Sequence, residues 1–326
     1  MTIPQANRKE ALVSIDIVVP LYNEEETVPF LIDRLESVFS QQNSELHHFD
    51  RVRYILIDDG SKDKTLAMLR QQKFIRNHAK VISFSRNFGH QAAVSAGVFA
   101  MDADITAIID ADLQDPPELI LEMLKLWREG YDVVFGQRRR REEGWFKNIC
   151  YKLFYRIYRL MSPIEVAVDS GDFCIMDRRV VSALNSLPEK LRFLRGLRSW
   201  VGFSQVGYEY DRGRRQHGIS KYTLRQLYQL ATDGIASLSI IPLKVSQFFA
   251  LCFFFYSFFL FLSTQFNWMH KTPQDILLCL AFSNALSNSI IMLCLYILGA
   301  YIGRMYFETK NRPVYIIREI FELPLP

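Results

Sequence analysis

The sequence predicts an α/β domain with a mostly parallel β-sheet, followed by two membrane-spanning helices. Short apolar runs alternate with helical patterns from residue 15 to about residue 136, which is typical of a parallel sheet covered by helices. The 326 residues suffice for one full-sized domain and an additional part. Many of the 25 phenylalanines crowd between residues 248 and 266, so the apolar excess is local and indicates a two-part molecule.

The elements of the first part follow one another in strand–helix order. The predicted strands cover residues 14–20, 54–58, 81–84 and 105–110. The predicted helices cover residues 25–39, 64–72 and 91–101. Open parallel sheets bind ligands beyond the carboxyl ends of their strands. Because three of these strands end in polar clusters (PLYNE, DDGSKDKT and DADLQD), the sequence predicts a site at that edge.

Two apolar stretches, residues 245–264 and 276–303, are long enough to cross a bilayer, which takes about 20 apolar residues. Two buried core helices are the alternative, but a charge-free phenylalanine run of this length is unusual in a soluble core. The loop between the stretches, residues 267–275, carries one lysine. Basic residues lie outside both stretches: Lys244, Arg304, Lys310 and Arg312. The positive-inside rule therefore places both termini and the large domain in the cytoplasm.

Two further segments have the spacing of amphipathic helices. Residues 145–161 combine an apolar stripe with a basic face, which is typical of a helix in the headgroup layer, although a surface helix on the protein core is also possible. Residues 224–241 repeat the apolar spacing before the first span. The predicted organisation is a catalytic domain at 1–223, a juxtamembrane helix at 224–241, two spans at 242–303 and a cytoplasmic tail at 304–326.

Composition excludes several classes of protein. A net charge of +4 is too small to indicate nucleic-acid binding, and no nucleic-acid partner is expected. The five cysteines show no CxxC spacing and the six histidines no HExxH motif, so neither a disulfide framework nor a zinc site is predicted. The polar opening residues predict no secretory signal peptide. The stretch from Tyr306 to Ile317 is too polar for a third span and suggests packing on a neighbouring subunit, hence a homo-oligomer.

The central motif is Asp110-Ala-Asp112 at the end of the fourth predicted strand. Alternate residues of an extended segment point the same way, so both carboxylates can face one ligand. Mg²⁺ typically uses one or two carboxylates together with substrate phosphates. Such triplets also occur by chance in loops. Here the triplet follows an Ile-rich strand and continues as Leu-Gln-Asp-Pro-Pro-Glu118, which favours a site for a metal and a diphosphate.

The other two strand ends complete the predicted pocket. Pro20 ends the first strand, and Tyr22 and Glu24 are offered at its tip. In the second cluster, glycine permits a tight turn, so that Asp58 or Asp59 can accept a hydrogen bond from a base N–H.

At this point the sequence resembles a known family. The segments VVPLYNEEE, DDGSKDKT, SRNFGHQAA and DADLQDPPE resemble the signature set of GT-A-fold inverting glycosyltransferases of family 2. GDFCIMDR at 171–178, RRQHGISKY at 214–222 and the terminal pair of spans are similar to polyprenyl-phosphate glycosyltransferases of the GtrB type, related to dolichol-phosphate mannose synthase. The likeness runs from residue 15 to about residue 317. Cys174 departs from it, because a basic residue is expected there.

The resemblance implies an integral membrane enzyme that moves a sugar from a UDP-sugar to undecaprenyl or another polyprenyl phosphate. Glucose is the implied sugar, while mannose, N-acetylglucosamine or an aminoarabinose derivative would leave similar motifs. Asp112, with Gln114 as a second ligand, would hold Mg²⁺ or Mn²⁺, and Asp110 would touch the ribose or the metal shell. The nucleoside pocket would be lined by Pro20, Tyr22, Glu24 and Asp58.

The acceptor phosphate needs little activation, because a monoester with a second pKa near ~6 is largely dianionic at neutral pH. Asp169 or Asp172 would orient or deprotonate it. Arg214, Ser220 and Lys221 would sit where the lipid phosphate and the nucleotide phosphates meet. The two basic residues could equally be membrane-facing charge without a direct role.

Two other functions fit part of the sequence. A processive polysaccharide synthase would share the nucleotide pocket but carry a QxxRW motif and more spans, and Arg198-Ser-Trp200 is the nearest approach to that motif. A non-catalytic nucleotide-binding scaffold would be expected to have lost part of the DADLQD, YNE and DDGS set, which is intact here.

Overall fold

The computed structural model describes residue 8 and residues 11–39, 49–71, 78–139, 170–190, 192–211, 241–265 and 273–323. Eight strands form one sheet in the order β7-β5-β6-β4-β1-β2-β3-β8. The strands are β1 (Val13–Leu21), β2 (Phe49–Asp58), β3 (His78–Phe84), β4 (Ile105–Ile108), β5 (Val133–Arg138), β6 (Ser170–Asp177), β7 (Gln205–Tyr210) and β8 (Ile317–Leu323).

Helices connect or follow these strands. They are α1 (Val28–Val38), α2 (Thr65–Gln71), α3 (His90–Phe99), α4 (Leu119–Arg128), α5 (Arg178–Ser186), α6 (Leu194–Trp200), α7 (Ile241–Gln265) and α8 (Pro273–Thr309). The first four predicted strands and first three predicted helices are confirmed, with helix ends displaced by up to three residues.

The centre of the sheet is parallel and the flanks are mixed. Strands β4, β1, β2 and β3 run in one direction, while β6 and β8 are antiparallel to their neighbours. Strand β5 pairs antiparallel with β6 and parallel with β7. The mostly parallel sheet predicted from the sequence is therefore confirmed for the central block, and the whole sheet is mixed.

The central strands are apolar because helices pack on both faces of the sheet and form two apolar clusters with them. All residues of β1 except Ser14 are buried, including Asp16. That carboxylate accepts two hydrogen bonds from Arg53, at 2.9 and 2.6 Å, so the buried charge is paired. Helix α3 packs closely on this block, since a Cβ at Gly97 would lie 2.2 Å from the Cγ1 atom of Val18.

The membrane prediction is confirmed in part. Among the described residues one helix, Leu280–Thr309 within α8, is long and apolar enough to cross a bilayer, and its side chains are not buried in the protein. Helix α7 covers the other predicted span and contains the apolar stretch Gln247–Phe259, and its crossing of a bilayer stays a prediction. Both predicted amphipathic segments, 145–161 and 224–241, lie outside the described residues.

The chain after α8 returns to the eight-stranded sheet. Strand β8 pairs with β3, and the Tyr315 ring stacks on Phe84 with centroids 4.8 Å apart. Glu308, at the end of α8, accepts hydrogen bonds from the Lys190 N–H at 3.0 Å. The tail that the sequence suggests for contact with a neighbouring subunit thus packs on its own sheet.

Candidate active site

The polar motifs converge at one edge of the sheet. Because β4, β1, β2 and β3 are parallel, Asp110, Tyr22 and Asp58 all follow or end strands at the same edge. Strand β6 begins at this edge, since Ile108 pairs with Cys174 two residues after Asp172. We call it the catalytic edge.

The first two motifs are joined into one wall. The backbone N–H of Asn23 donates to Ser61 Oγ at 3.0 Å, and Lys62 N–H donates to Asn23 Oδ1 at 2.8 Å. The N–H of Glu24 donates to Thr65 Oγ1 at 2.8 Å. Tyr22 and Glu24 therefore stand beside the DDGSKD loop, as a shared nucleoside pocket requires.

Asp58 and Asp59 are buried and hold the loops of this wall together. Asp58 accepts hydrogen bonds from Ser61 N–H at 3.1 Å and from Ser83 Oγ at 2.7 Å. Asp59 accepts from the backbone N–H groups of Phe88 and Gly89 at 2.7 and 2.9 Å. Burial raises the pKa of Asp59, although these two backbone donors lower it. Contact of either carboxylate with a base stays a prediction.

The DADLQD segment forms a compact turn. Asp112 Oδ1 accepts a hydrogen bond from Gln114 N–H at 3.1 Å, and Leu113 between them has the left-handed φ of 55°. Asp110, Asp112 and Gln114 remain partly exposed to the catalytic edge. Withdrawal from water raises the pKa of Asp110; His90 lowers it, and the neighbouring carboxylates raise it further.

The donor chemistry of this turn fits a hard divalent cation. Two carboxylates and an amide oxygen are ligands that Mg²⁺ and Mn²⁺ accept, with substrate phosphates completing the shell. Within the described ranges no three His, Cys, Asp or Glu side chains are grouped to hold a metal by themselves. The candidate ligands Asp110, Asp112 and Gln114 include two acidic residues, which suits a metal ion that also binds a diphosphate.

Asp172 is held by three side chains. Arg195 Nε donates to its Oδ1 at 2.7 Å and Arg195 Nη2 to its Oδ2 at 3.0 Å. His90 Nε2 and Gln91 Nε2 each lie 3.2 Å from Oδ2. The His90 ring also faces Asp110, with Nε2 3.7 Å from Oδ1. These residues form a cluster beside the DADLQD turn.

The charges of this cluster are mutually stabilised. Burial works to raise the pKa of Asp172, but Arg195 and His90 together hold it well below its usual range. Burial lowers the pKa of His90, yet its hydrogen bond with Asp172 and the charge of Asp110 raise it to about 9. Asp172 is thus a carboxylate engaged with cations, which favours an orienting role over proton transfer.

Several predicted site residues cannot be placed. Asp169, Arg214, Ser220 and Lys221 lie outside the described residues, so their roles stay predictions. The sequence reasoning gave no role to His90, Gln91 or Arg195. The first two belong to the SRNFGHQAA segment, which signals a motif without showing its contact. Arg195 lies 23 residues beyond Asp172, and only the fold brings α6 to β6.

Comparison with known proteins places the chain in a family. Residues 16–184 match the model described as Glycosyl transferase family 2. The chain belongs to this family. It is 40% identical over 316 residues to an uncharacterized glycosyltransferase, YkcC, of Bacillus subtilis (strain 168), covering 95% of this chain and 94% of that protein. It is 34% identical over 312 residues to the bactoprenol glucosyl transferase of Shigella phage SfII, covering 94% and 98% respectively.

Among solved structures, the chain is similar to glucosyl-3-phosphoglycerate synthase from Mycobacterium tuberculosis in complex with Mn²⁺, uridine diphosphate and phosphoglyceric acid. The identity is 21%, the TM-score is 0.49, and the match covers 72% of this chain and 80% of that one.

Proposed function

We propose that this family 2 enzyme transfers a hexose, with glucose the expected one, from a UDP-sugar to undecaprenyl or another polyprenyl phosphate, with inversion at the anomeric carbon. The observation that carries the proposal is the return of the chain from α8 to the catalytic edge. Strand β8 begins at Ile317 opposite Phe84, the last residue of β3, so the chain that follows the apolar helix enters the sheet at the catalytic edge. A membrane lipid is the acceptor that such an arrangement suits.

The name of the phage relative supports the same acceptor class, because bactoprenol glucosyl transferase matches nearly the full length of both chains. In the proposed reaction a phosphate oxygen of the lipid forms a bond to the anomeric carbon while the bond from that carbon to the β-phosphate oxygen breaks. The electron pair leaves with UDP. Attack from the side opposite the leaving group inverts the configuration.

The residues of the catalytic edge have different roles in the proposed reaction. Asp112 and Gln114, with Asp110 beside them, would hold Mg²⁺ or Mn²⁺, which when bound neutralises charge on the departing diphosphate. Tyr22 and Glu24 line the nucleoside side of the pocket. His90 and Arg195, oriented by Asp172, are placed to attract the dianionic acceptor phosphate.

The number of membrane crossings supports the proposed location of the enzyme. Because β8 hydrogen-bonds to β3, the chain crosses a membrane an even number of times between β7 and β8. If α8 spans the bilayer, a second crossing is needed, and α7 is the other helix described in that interval. Together with the basic flanks, this supports two spans, a cytoplasmic catalytic domain and cytoplasmic termini.

The deciding experiment reconstitutes the full chain in vesicles with undecaprenyl phosphate and radiolabelled UDP-sugars. We expect label in the organic phase as a single sugar on lipid, with UDP-glucose the best donor, and none with the Asp112→Asn variant. Label in a polymer instead would indicate a processive synthase. Absence of labelled lipid with every donor, from a folded protein with added Mn²⁺, would refute the proposal.

A further inference from the structure

The last aspartate of the DADLQD turn is held from another part of the sheet. Asp115 is 1% exposed, and its Oδ1 accepts a hydrogen bond from the hydroxyl of Tyr210. Tyr210 is the final residue of β7, 95 residues further along the chain. Asp112 and Gln114 therefore lie on a turn whose carboxyl end is tied to the outermost strand of the sheet.

The ring of Tyr210 has a fixed place because two other strands enclose it. A Cβ at Gly136, on β5, would lie 2.7 Å from the Tyr210 ring and 2.8 Å from the Phe173 ring. The Tyr210 and Phe173 rings meet edge to face, with centroids 5.8 Å apart. Glycine at position 136 thus leaves the space that the tyrosine fills, and the hydroxyl is presented to Asp115 without freedom to swing away.

The turn itself needs to be held. Leu113 adopts the left-handed region at φ 55°, which a side chain with a Cβ rarely occupies and which persists where surrounding contacts impose it. On its amino side the turn is bonded to β1, since Ile109 N–H donates to Val18 O at 3.1 Å. On its carboxyl side, Asp115 is bonded to Tyr210. Because the turn is fixed at Ile109 and at Asp115, the side chains of Asp112 and Gln114 between them are held in place.

We infer that Tyr210 is a positioning residue for donor binding, because its hydrogen bond to Asp115 holds the turn that presents Asp112 and Gln114 to a metal-bound nucleoside diphosphate. The inference rests on the proposed function only in assuming that this turn binds the metal and the diphosphate. Tyr210 does not touch the donor and acts through Asp115.

The test is UDP binding by the full-length chain in the presence of Mn²⁺, measured by calorimetry without a lipid acceptor. Tyr210→Phe removes one hydroxyl and leaves the buried Asp115 without that donor, so we expect UDP affinity to fall roughly tenfold and the Mn²⁺ concentration for half-maximal binding to rise. Tyr208→Phe, two residues earlier on the same strand, is the matched control and should bind UDP as the wild type does.

The Asp115 side of the contact gives an independent check. Asp115→Asn keeps an oxygen that accepts from Tyr210 and should retain most of the affinity, whereas Asp115→Val should lose it as Tyr210→Phe does. These two variants answer the question even if Tyr210→Phe does not fold. A merely structural contact would lower the melting temperature of Tyr210→Phe while leaving its Mn²⁺ dependence and UDP affinity unchanged, and that result would overturn the inference. A wild-type protein that binds no UDP with Mn²⁺ would instead overturn the proposed function, and the inference with it.

Discussion

Replacement of Asp172 by asparagine, combined with a change at Arg195, separates two roles for the carboxylate at the centre of the site. The side chain accepts two hydrogen bonds from Arg195 and faces His90 at 3.2 Å. Asparagine keeps one acceptor oxygen and the size of the side chain but loses the charge. If Asp172 orients Arg195 toward the acceptor phosphate, the variant should lose catalytic efficiency for the lipid through Arg195 alone.

The expected magnitude follows from the charge-assisted hydrogen bonding that asparagine cannot provide to Arg195. A hydrogen bond between charged groups contributes about 1.5–3 kcal/mol, which corresponds to a roughly tenfold to 150-fold loss in kcat/KM for the acceptor. Removal of a general base typically costs about 10²–10⁴-fold. The two ranges meet near 100-fold. Single-variant kinetics therefore need a second background to assign the role.

The assay is steady-state transfer to undecaprenyl phosphate by Asp172→Asn, Arg195→Met and the double variant, with UDP binding as the check on folding. When the carboxylate acts through the arginine, the double variant should be little worse than Arg195→Met, because the two residues are coupled. The rise of kcat/KM near pH ~6, set by the acceptor phosphate, should persist in Asp172→Asn. The orienting role would be refuted if the two losses in kcat/KM multiply in the double variant. It would also be refuted if the rise of kcat/KM near pH ~6 disappears in Asp172→Asn.

Metal removal, a glycine replacement and an acid titration test other described residues. Asp112→Asn and EDTA should each abolish transfer, EDTA reversibly, and full turnover in EDTA would remove the metal from the reaction. Gly97→Ala places a methyl group against Val18 and should lower the free energy of unfolding by about 1–3 kcal/mol in urea titrations. Burial works to raise the pKa of Asp132, but hydrogen bonds, first of all the one from Arg8, lower it below its usual value. The stabilisation from these hydrogen bonds is present above the pKa of the unfolded chain, near ~4. It is lost as the pH falls through the pKa of Asp132 in the folded protein. The stability gap between the wild type and Arg8→Met should therefore be widest above pH ~4 and shrink below it; a gap independent of pH would contradict this.

The central sheet could be predicted because burial on both faces leaves a plain signal. Strands β1 and β4 are nearly continuous apolar runs, and each is followed by a polar motif. Strand β8 gives no such signal. Its sequence, IREIFEL, mixes charged and apolar residues without a regular alternation, and most of its side chains are exposed at the edge of the sheet. Its position after a long apolar helix also offers no local reason to expect a return to the sheet.

Some residues of the candidate site could likewise be predicted from the sequence, and others could not. The strand-end residues Asp58, Asp110 and Asp112 could be predicted because the topology of parallel strands brings them to one edge. The partners of Asp172 could not, because Arg195 reaches it from a helix 23 residues later and His90 from the start of α3. The sequence therefore identified the carboxylate but left open whether it transfers a proton or orients cations, a choice that depends on tertiary contacts.

In the proposed topology, the covalent path from α8 to β8 determines how the site stands over the bilayer. The apolar part of α8, Leu280–Thr309, is 30 residues long, or roughly 45 Å, against a hydrocarbon core of roughly 30 Å. Such a helix tilts or extends into the headgroup layer. Its end is fixed to the domain, because Glu308 binds the Lys190 N–H and Ile316 O accepts from Ser85 N–H at 2.9 Å. The chain between Thr309 and Ile317 therefore has little freedom, and in the proposed topology it would hold the catalytic edge close to the depth of a lipid phosphate.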